Sequence, residues 1–278
     1  MSSTVQVAGF SFVERLAQDL KDERLELPAF PEAVVRIQRM LQSSDTTTDD
    51  VVRILSSEPA LAARLLRMAN SAEFRRTDAE ITDLRRAVTR MGFNMVRSVS
   101  VAFAMRQLRR MESYSPEVRA ELETIWRDSL EIASLCFVLA RRFTRLNPEQ
   151  ALLTGLLHVL GRLYILMRAQ DMPALSASDM QEVVLGWHAA IGKAILESWG
   201  LPEALQQAVE HQDELELELD GDVTLTDLLI AAKLVESGRQ EPERYPALRR
   251  IGIPDATKGG VLERYGDEIE SIRRSLSE

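Results

Sequence analysis

The chain has 278 residues, of which 45% are hydrophobic, so it is long enough and apolar enough to bury a sizeable core. Its formal net charge of -9 disfavours a surface organised around nucleic-acid phosphates or anionic lipid, since both require an excess of Lys and Arg. The single cysteine, Cys136, excludes internal disulfides and Cys-rich metal sites and favours a reducing, cytoplasmic compartment.

The N-terminal residues 1–19 lack the basic and apolar segments of a secretory signal, and we predict a leader followed by a helical arm. The most apolar stretch, from Leu152 to Met167, contains His158 and Arg162 and is shorter than the ~20 residues of a membrane-spanning helix. We therefore expect a buried core helix here and no insertion into a membrane.

Apolar residues recur at three- and four-residue steps along most of the chain, which is typical of amphipathic helices. In the first half, Pro31, a capping segment at 45–48, Pro59 and Gly92 mark predicted helix starts and interruptions. These signals predict a bundle of short helices that ends near residue 113.

After residue 113 the predicted helices are longer, and Ser115 is a candidate N-terminal cap. They cover roughly 116–143, 148–170, 179–198, 202–212 and 224–237, and a charged helix follows at 261–275. The alternation of Glu and Leu between Glu214 and Asp220 is compatible with a strand or with an irregular connection. The overall pattern predicts an all-α protein.

The three histidines, His158, His188 and His211, lie inside or at the end of predicted helices in the second half. Helical spacing places Gly155, His158 and Gly161 on one stripe, where glycine allows a backbone or a ligand to approach closely. For each histidine taken alone, a structural role in the core or at a helix end is the simpler interpretation.

Signatures of known catalytic sites do not occur in this sequence. It contains no phosphate-binding Gly-rich loop, HExxH, GxSxG, EF-hand loop or pair of CxxC motifs. We therefore predict no cofactor from motifs of this kind.

Several blocks, in order along the chain, resemble the HDOD output domain, a bacterial signalling family related to the HD metal-dependent phosphohydrolases. These blocks are LPAFPEAV at 27–34, SSEPALAARLLRMANSA at 56–72, RAVTRMGFNMVRSVSVAFAM at 86–105, WRDS at 126–129, GLLHVLGRL at 155–163, WHAAIGKAILESWGLP at 187–202 and AVEHQ at 208–212. The resemblance covers about 20–215 and implies two helical lobes, the first at about 20–113 and an HD-like helical bundle from about 114. The remainder, 216–278, is a predicted C-terminal helical extension.

In active HD enzymes a histidine, an adjacent His-Asp pair and a later aspartate hold one or two metals that activate water. The resemblance places Asp128 at the first histidine position, His158 and Val159 at the pair, and Lys233 at the late aspartate position. Valine has no lone pair to donate, and a lysine ammonium repels a divalent cation. We therefore expect neither a metal centre nor catalysis.

The polar residues that remain at these positions are expected to outline a vestigial pocket made of Asp128, His158, His188 and His211. The leading hypothesis is a bacterial signal-transduction or regulatory module that binds a partner protein or a small regulatory ligand. The alternative is a reduced metal-dependent phosphohydrolase that acts on a nucleotide or cyclic nucleotide. No sequence motif identifies the signal, the partner or the oligomeric state.

A third interpretation treats EPALAARLLRMANSA and MGFNMVRSV as parts of a DNA-binding helix-turn-helix. The phosphate contacts would then come from six arginines: Arg64, Arg67, Arg75, Arg76, Arg90 and Arg97. The same pattern is equally typical of two core helices whose arginines face water. The acidic net charge disfavours DNA as the partner.

Overall fold

The computed structural model describes residues 14–15, 17–18, 32–72, 74, 80–109, 114–169, 177–239, 241–253 and 260–277. Most of the predicted leader, Pro31 and the boundary predicted near residue 113 lie outside these residues. Within the described ranges the chain forms helices and connections without a strand, so the fold is all-α as predicted. The run from Glu214 to Asp220 is an irregular connection.

Four helices of the first half pack around a shared apolar core. They are α1 (Glu32–Met40), α2 (Thr48–Ser56), α3 (Pro59–Ala69) and α4 (Leu84–Arg109). The helices α1, α2 and α3 all contact α4, which is therefore the central element of this part of the fold.

Local sequence signals explain where these helices begin and bend. Thr47 and Asp50 form a capping box at the start of α2, and Pro59 is the first residue of α3, as predicted. Gly92 has a φ of 75° and interrupts α4, because glycine adopts this left-handed conformation without a steric penalty. The predicted interruption at Gly92 is therefore confirmed as a kink.

The second half is a bundle arranged around the long helix α5. Its helices are α5 (Pro116–Phe143), α6 (Pro148–Leu157), α7 (Leu160–Ala169), α8 (Ala177–Ser198), α9 (Glu203–Glu210) and α10 (Leu225–Glu236). Ser115 caps α5 as predicted, since its hydroxyl accepts a hydrogen bond from the Val118 N–H. α6 and α10 pack on α5, whereas α8 packs on α7 and α9.

The prediction of one continuous helix at 148–170 is wrong. The structure ends α6 at Leu157, places His158 and Val159 in a turn, and begins α7 at Leu160. The apolar pattern continues through this turn because residues on both sides of it are buried. Hydrophobic periodicity alone therefore does not reveal the interruption.

Two glycines on either side of the turn explain why the helix divides. A Cβ on Gly155 would lie 2.4 Å from the Ala133 Cα of α5, so α6 is pressed against α5. A Cβ on Gly161 would lie 1.8 Å from the His188 carbonyl oxygen, so α7 is pressed against α8. α6 and α7 thus make close backbone contacts with different helices, and the turn between them allows both contacts.

The apolar segment from Pro148 to Ala169 is the one part of the described chain that is long and apolar enough to cross a membrane. In the structure, 89% of its most apolar window is buried inside the protein. This agrees with the prediction of a buried core element, although the element consists of two helices.

Two of the six arginines considered for DNA contact are enclosed in the first half of the fold. Arg64 is 3% exposed and Arg97 is 7% exposed, and Arg97 donates a hydrogen bond to the Leu41 carbonyl. The expectation that these two arginines face water is therefore wrong. Arg75 and Arg76 lie outside the described residues.

The two halves of the fold also meet at the end of α8. Gln42, in the connection after α1, donates a side-chain hydrogen bond to the Trp199 carbonyl. Gly200 follows with a φ of 61°, and a Cβ there would lie 2.6 Å from the Gln42 amide carbon. The Gln42 side chain therefore packs directly against the backbone of Gly200.

The last described helices are α11 (Pro246–Ile251) and α12 (Val261–Ser277). α12 packs on α5 and buries Ile269 and Ile272. Arg142 of α5 donates a hydrogen bond of 2.7 Å to Glu268 of α12. The charged helix predicted near the end of the sequence therefore packs onto the bundle.

Replacing Leu65 with Asp is expected to unfold the first half of the fold, because Leu65 has no exposed surface. An unpartnered buried carboxylate costs several kcal/mol, out of the ~5–15 kcal/mol that stabilises a typical domain. Thermal denaturation followed by circular dichroism measures the effect. Leu185→Asp is the control because Leu185 is 73% exposed, and equal melting temperatures for the two variants would contradict the burial of Leu65.

Gly161→Ala is expected to lower the melting temperature, because the added methyl group overlaps the His188 carbonyl of α8. The matched control is Gly186→Ala in α8, where a Cβ meets nothing within 4 Å. That change should stabilise the protein by roughly 0.5–1 kcal/mol, as expected for glycine in a helix interior. Stabilisation of similar size in both variants would show that α7 and α8 are not in close backbone contact.

Candidate functional site

A cavity of about 940 Å³ opens between α5, α7, α8 and α10. This volume lies within the range of roughly 300–1,000 Å³ that is usual for small-molecule sites. Its lining combines apolar side chains with carboxylates, basic groups and two histidines. A ligand in this cavity would thus meet both an apolar surface and charged groups.

The cavity collects three of the four residues predicted to form a vestigial pocket. Asp128, His158 and His188 line it, whereas His211 does not. His211 ends α9, where its Nδ1 lies 2.8 Å from Glu214 Oε1 and its Nε2 lies 3.1 Å from Gln207 Oε1. These two neighbours in sequence hold the His211 ring at the helix end, away from the lining.

Asp128 faces the cavity from α5 and forms an ion pair with Arg162 of α7. Arg162 Nη1 donates to Asp128 Oδ2 at 2.9 Å, and Arg162 Nη2 lies 3.4 Å from Glu121 Oε1. Arg162 comes into reach because α7 begins only two residues after His158. One guanidinium therefore bridges two carboxylates of α5.

His158 lies in the turn between α6 and α7 and is 5% exposed. Its Nδ1 donates to the Gly155 carbonyl at 2.6 Å, and its own carbonyl accepts a hydrogen bond of 3.1 Å from Gln212 Nε2. Burial and the positive charge of Lys233 lower the pKa of His158 to about 3, although the hydrogen bond to Gly155 opposes the change. The ring is therefore neutral at physiological pH.

His188, Asp213 and Lys233 form a cluster close to His158, since Gln212 hydrogen-bonds both Lys233 and the His158 carbonyl. His188 Nε2 lies 2.7 Å from Asp213 Oδ2, and Lys233 Nζ donates to the other oxygen of Asp213. Burial by itself raises the pKa of Asp213, but the hydrogen bond from His188 and the charge of Lys233 outweigh it and hold this pKa below its usual value. Both Asp213 oxygens are thus engaged.

Asp213 directly follows the AVEHQ block but belongs to no motif of its own. Several acidic residues follow it, and a carboxylate in such a run is most simply a solvated side chain. The ion pair of Asp213 with Lys233 depends on the distance between the end of α9 and α10. Residue type and spacing do not specify that distance.

The residues present do not fit the metal centre of an HD phosphohydrolase. Val159 has no exposed surface and packs in the core, and Lys233, at the position of the late aspartate, supplies an ammonium that pairs with Asp213. Across the described residues, no three side chains from His, Cys, Asp and Glu are arranged to hold a metal ion.

The depressed pKa of His158 predicts an acid-sensitive fold. Its pKa is about 3 in the folded state against 6.5 as the ordinary value, so the unfolded state binds the proton first as the pH falls. The free energy of unfolding is therefore unaffected by His158 well above pH 6.5. Below pH 6.5 it falls by about 1.4 kcal/mol per pH unit, because the unfolded state gains a proton that the folded state does not.

Urea denaturation at pH 7.5, 6.5 and 5.5 tests this prediction on the wild type and on His158→Asn. Asparagine retains a donor for the Gly155 carbonyl but does not titrate, so the variant should lose less stability between pH 6.5 and 5.5. His211→Asn is the control because its side chain is one-third exposed. Parallel pH profiles for the wild type and His158→Asn would contradict the buried, neutral state of His158.

Comparison with known proteins gives relatives of similar fold. A crystal structure from Shewanella amazonensis SB2B, provisionally described as a metal-dependent phosphohydrolase, has a TM-score of 0.74 and 26% identity. The match covers 97% of this chain and 99% of that one. A structure from Marinobacter aquaeolei VT8, provisionally described as a signal transduction protein, has a TM-score of 0.60 and 20% identity over 98% of this chain and 66% of that one.

Sequence comparison adds a curated relative and a family assignment. An uncharacterized protein from Treponema pallidum (strain Nichols) is 24% identical over 220 residues, which are 72% of this chain. This chain spans 40% of the length of that relative. The family profile of the HDOD domain matches residues 27–215. Because this match covers well over half of the sequence, the chain belongs to the HDOD domain family.

Proposed function

We propose that this HDOD protein acts in signal transduction or regulation by binding a partner protein or a small regulatory ligand, without catalysing a reaction. The observation that carries the proposal is the ion pair between Lys233 and Asp213 at the candidate site. Membership of the HDOD family and a similar fold described as a signal transduction protein support a regulatory role.

The ion pairs at the site explain why binding is favoured over metal-dependent hydrolysis. A hydrolytic metal must be held by several free donor groups so that it lowers the pKa of a bound water. Here Asp213 is engaged by Lys233 and His188, and Asp128 is engaged by Arg162. A divalent cation would have to compete with Arg162 for Asp128 and with Lys233 for Asp213.

The second candidate function is a reduced metal-dependent phosphohydrolase that acts on a nucleotide or cyclic nucleotide. Its support is the Shewanella amazonensis structure, which matches this chain over 97% of its length and is provisionally described as such an enzyme. Asp128, His158 and His188 would be the protein groups available to it, since all three line the cavity. Both candidates place function at the same cavity, so one assay separates them.

The purified protein is expected not to hydrolyse cyclic dinucleotides or generic phosphoesters when manganese, iron, magnesium or zinc is added. The physical reason is that the two carboxylates nearest the histidines, Asp128 and Asp213, are already paired with Arg162 and Lys233. Product formation measured by chromatography, together with metal analysis by mass spectrometry, tests this expectation. Stoichiometric metal with turnover in the unmodified protein would establish the second candidate and overturn the first.

Two variants sharpen the assay. Lys233→Met removes the ammonium and keeps a stem of similar length, whereas Lys233→Asp places a carboxylate where the active relatives have one. Neither is expected to show turnover, because Val159 still supplies no ligand. Val159→Asp is less informative, since Val159 has no exposed surface and a carboxylate there destabilises the core.

The binding half of the proposal is tested by capture of partners from native cell extract with the full chain. Val184→Trp is the matched variant, because Val184 lines the cavity and a larger side chain there fills part of it. A partner or ligand retained by the wild type and lost with Val184→Trp supports binding at the cavity. Identical capture by both proteins would place recognition elsewhere on the surface.

A further inference from the structure

His158 has one ring nitrogen that is engaged and one that is open. Its Nδ1 lies 2.6 Å from the Gly155 carbonyl, and because a carbonyl oxygen only accepts, this nitrogen carries a proton. Nε2, at the far end of the ring from the main chain, has no hydrogen-bond partner among the described residues. The side chain is 5% exposed and lines the cavity, so a partner for Nε2 has to come from the cavity.

The open nitrogen is a hydrogen-bond acceptor. Burial and the positive charge of Lys233 lower the pKa of His158, so the ring is neutral and Nε2 carries a lone pair. A buried acceptor that lacks a donor costs free energy comparable to a lost hydrogen bond. His188 offers no second acceptor of this kind to a ligand, because its unpaired Nδ1 is enclosed by protein atoms. The unmet acceptor at His158 therefore points to a ligand that donates.

The basic residues near His158 restrict the charge of that ligand. Lys233 and Arg162 both line the cavity, and both charges act on the His158 ring. They repel an ammonium, although an ammonium donates hydrogen bonds. An ionised carboxylate or phosphate oxygen only accepts, so it would face the Nε2 lone pair with a lone pair of its own. An uncharged donor avoids both conflicts.

A hydroxyl group is the donor that fits this position best. Lys233 Nζ donates to Asp213 and to Gln212, which uses two of the three N–H groups of a lysine ammonium. A hydroxyl both donates and accepts. It can therefore donate to His158 and accept from the remaining N–H of Lys233, whereas an alkyl group can do neither.

Apolar side chains continue the cavity beyond its polar residues. Leu166 follows Arg162 by four residues on α7, and Ile132 follows Asp128 by four residues on α5. Residues four apart lie on one face of a helix, so each apolar group is one turn from a polar one. Val184 of α8 also lines the cavity. The part of a ligand beyond its hydroxyl thus meets apolar surface from three helices.

We propose that the cavity binds a small uncharged molecule whose hydroxyl donates a hydrogen bond to His158 Nε2 and whose apolar body lies against α5, α7 and α8. This inference rests on the proposed binding function and specifies its ligand class. The volume of about 940 Å³ is that of a small-molecule site. The burial of His158 favours a molecule that enters the cavity over a side chain that reaches in from a partner surface.

Three probes of one shape test the proposal on the full-length protein with isotopically labelled histidine. 4-Ethylphenol donates and accepts, 4-ethylbenzonitrile only accepts, and 4-ethyltoluene does neither. The sequence has three histidines, so each ring nitrogen can be assigned in a nuclear magnetic resonance spectrum. 4-Ethylphenol should shift the His158 Nε2 resonance far more than the other two probes, because it alone donates. An unchanged resonance at saturating 4-ethylphenol overturns the proposal.

His158→Asn removes the Nε2 position and keeps a donor for the Gly155 carbonyl. It should weaken 4-ethylphenol about fivefold, as expected for one lost hydrogen bond, and leave 4-ethyltoluene unchanged. His158→Gln places an amide oxygen near the Nε2 position and should restore part of the affinity. His211→Asn is the control, because His211 does not line the cavity. Equal weakening of both probes by His158→Asn would assign the effect to packing and overturn the proposal.

The hydroxyl proposal and the proposed function fail in different experiments. Binding of 4-ethylbenzonitrile that equals or exceeds that of 4-ethylphenol assigns the hydrogen bond to a donor of the protein and overturns donation to His158. If no probe binds, the hydroxyl proposal also falls. Partner capture with Val184→Trp and the hydrolysis assay then still decide whether the cavity binds or catalyses.

Discussion

The candidate site depends on one constraint, which is the close backbone packing of α6 on α5 and of α7 on α8. Gly155 allows α6 to approach α5, and Gly161 allows α7 to approach α8, so the chain turns between them. His158 occupies this turn, and Arg162 follows it within reach of α5. A side chain at Gly155 would push α6 away from α5, and one at Gly161 would push α7 away from α8, so either would displace the turn that carries His158.

The charges of the site are arranged as ion pairs that hold helices together. Arg162 links α7 to α5, and Lys233 links α10 to the connection after α9. Such pairs engage carboxylates that a metal centre would need as free donors, and this is the physical basis of the proposal that the site serves recognition. In the same cavity, His158 donates to the Gly155 carbonyl and His188 pairs with Asp213, so both rings have partners within the protein.

Much of the fold could be predicted because its signals are local. Helical periodicity, the cap at Ser115 and the interruption at Gly92 depend on residues within a turn or two of each other. The division between α6 and α7 could not be predicted in the same way, because it depends on contacts with α5 and α8, which are distant in sequence.

The candidate site was predictable only in part, for the same reason. Asp128, His158 and His188 were found through resemblance to a family motif, and they do line the cavity. His211 was grouped with them by that resemblance, whereas its contacts are with Gln207 and Glu214 near the end of its own helix. Asp213 has no motif of its own and becomes recognisable only when α10 brings Lys233 beside it.

The contact of Gln42 with the end of α8 joins to the first half of the fold the same helix that lines the cavity. Leu185 and His188 line the cavity, and Trp199 and Gly200 lie at the Gln42 junction, so α8 spans both places. At 1.5 Å per residue, the chain from Leu185 to Trp199 spans about 20 Å. Because Gln42 hydrogen-bonds a backbone carbonyl beside a glycine, this junction depends on the position of the α8 backbone and does not require a particular side chain at residue 199.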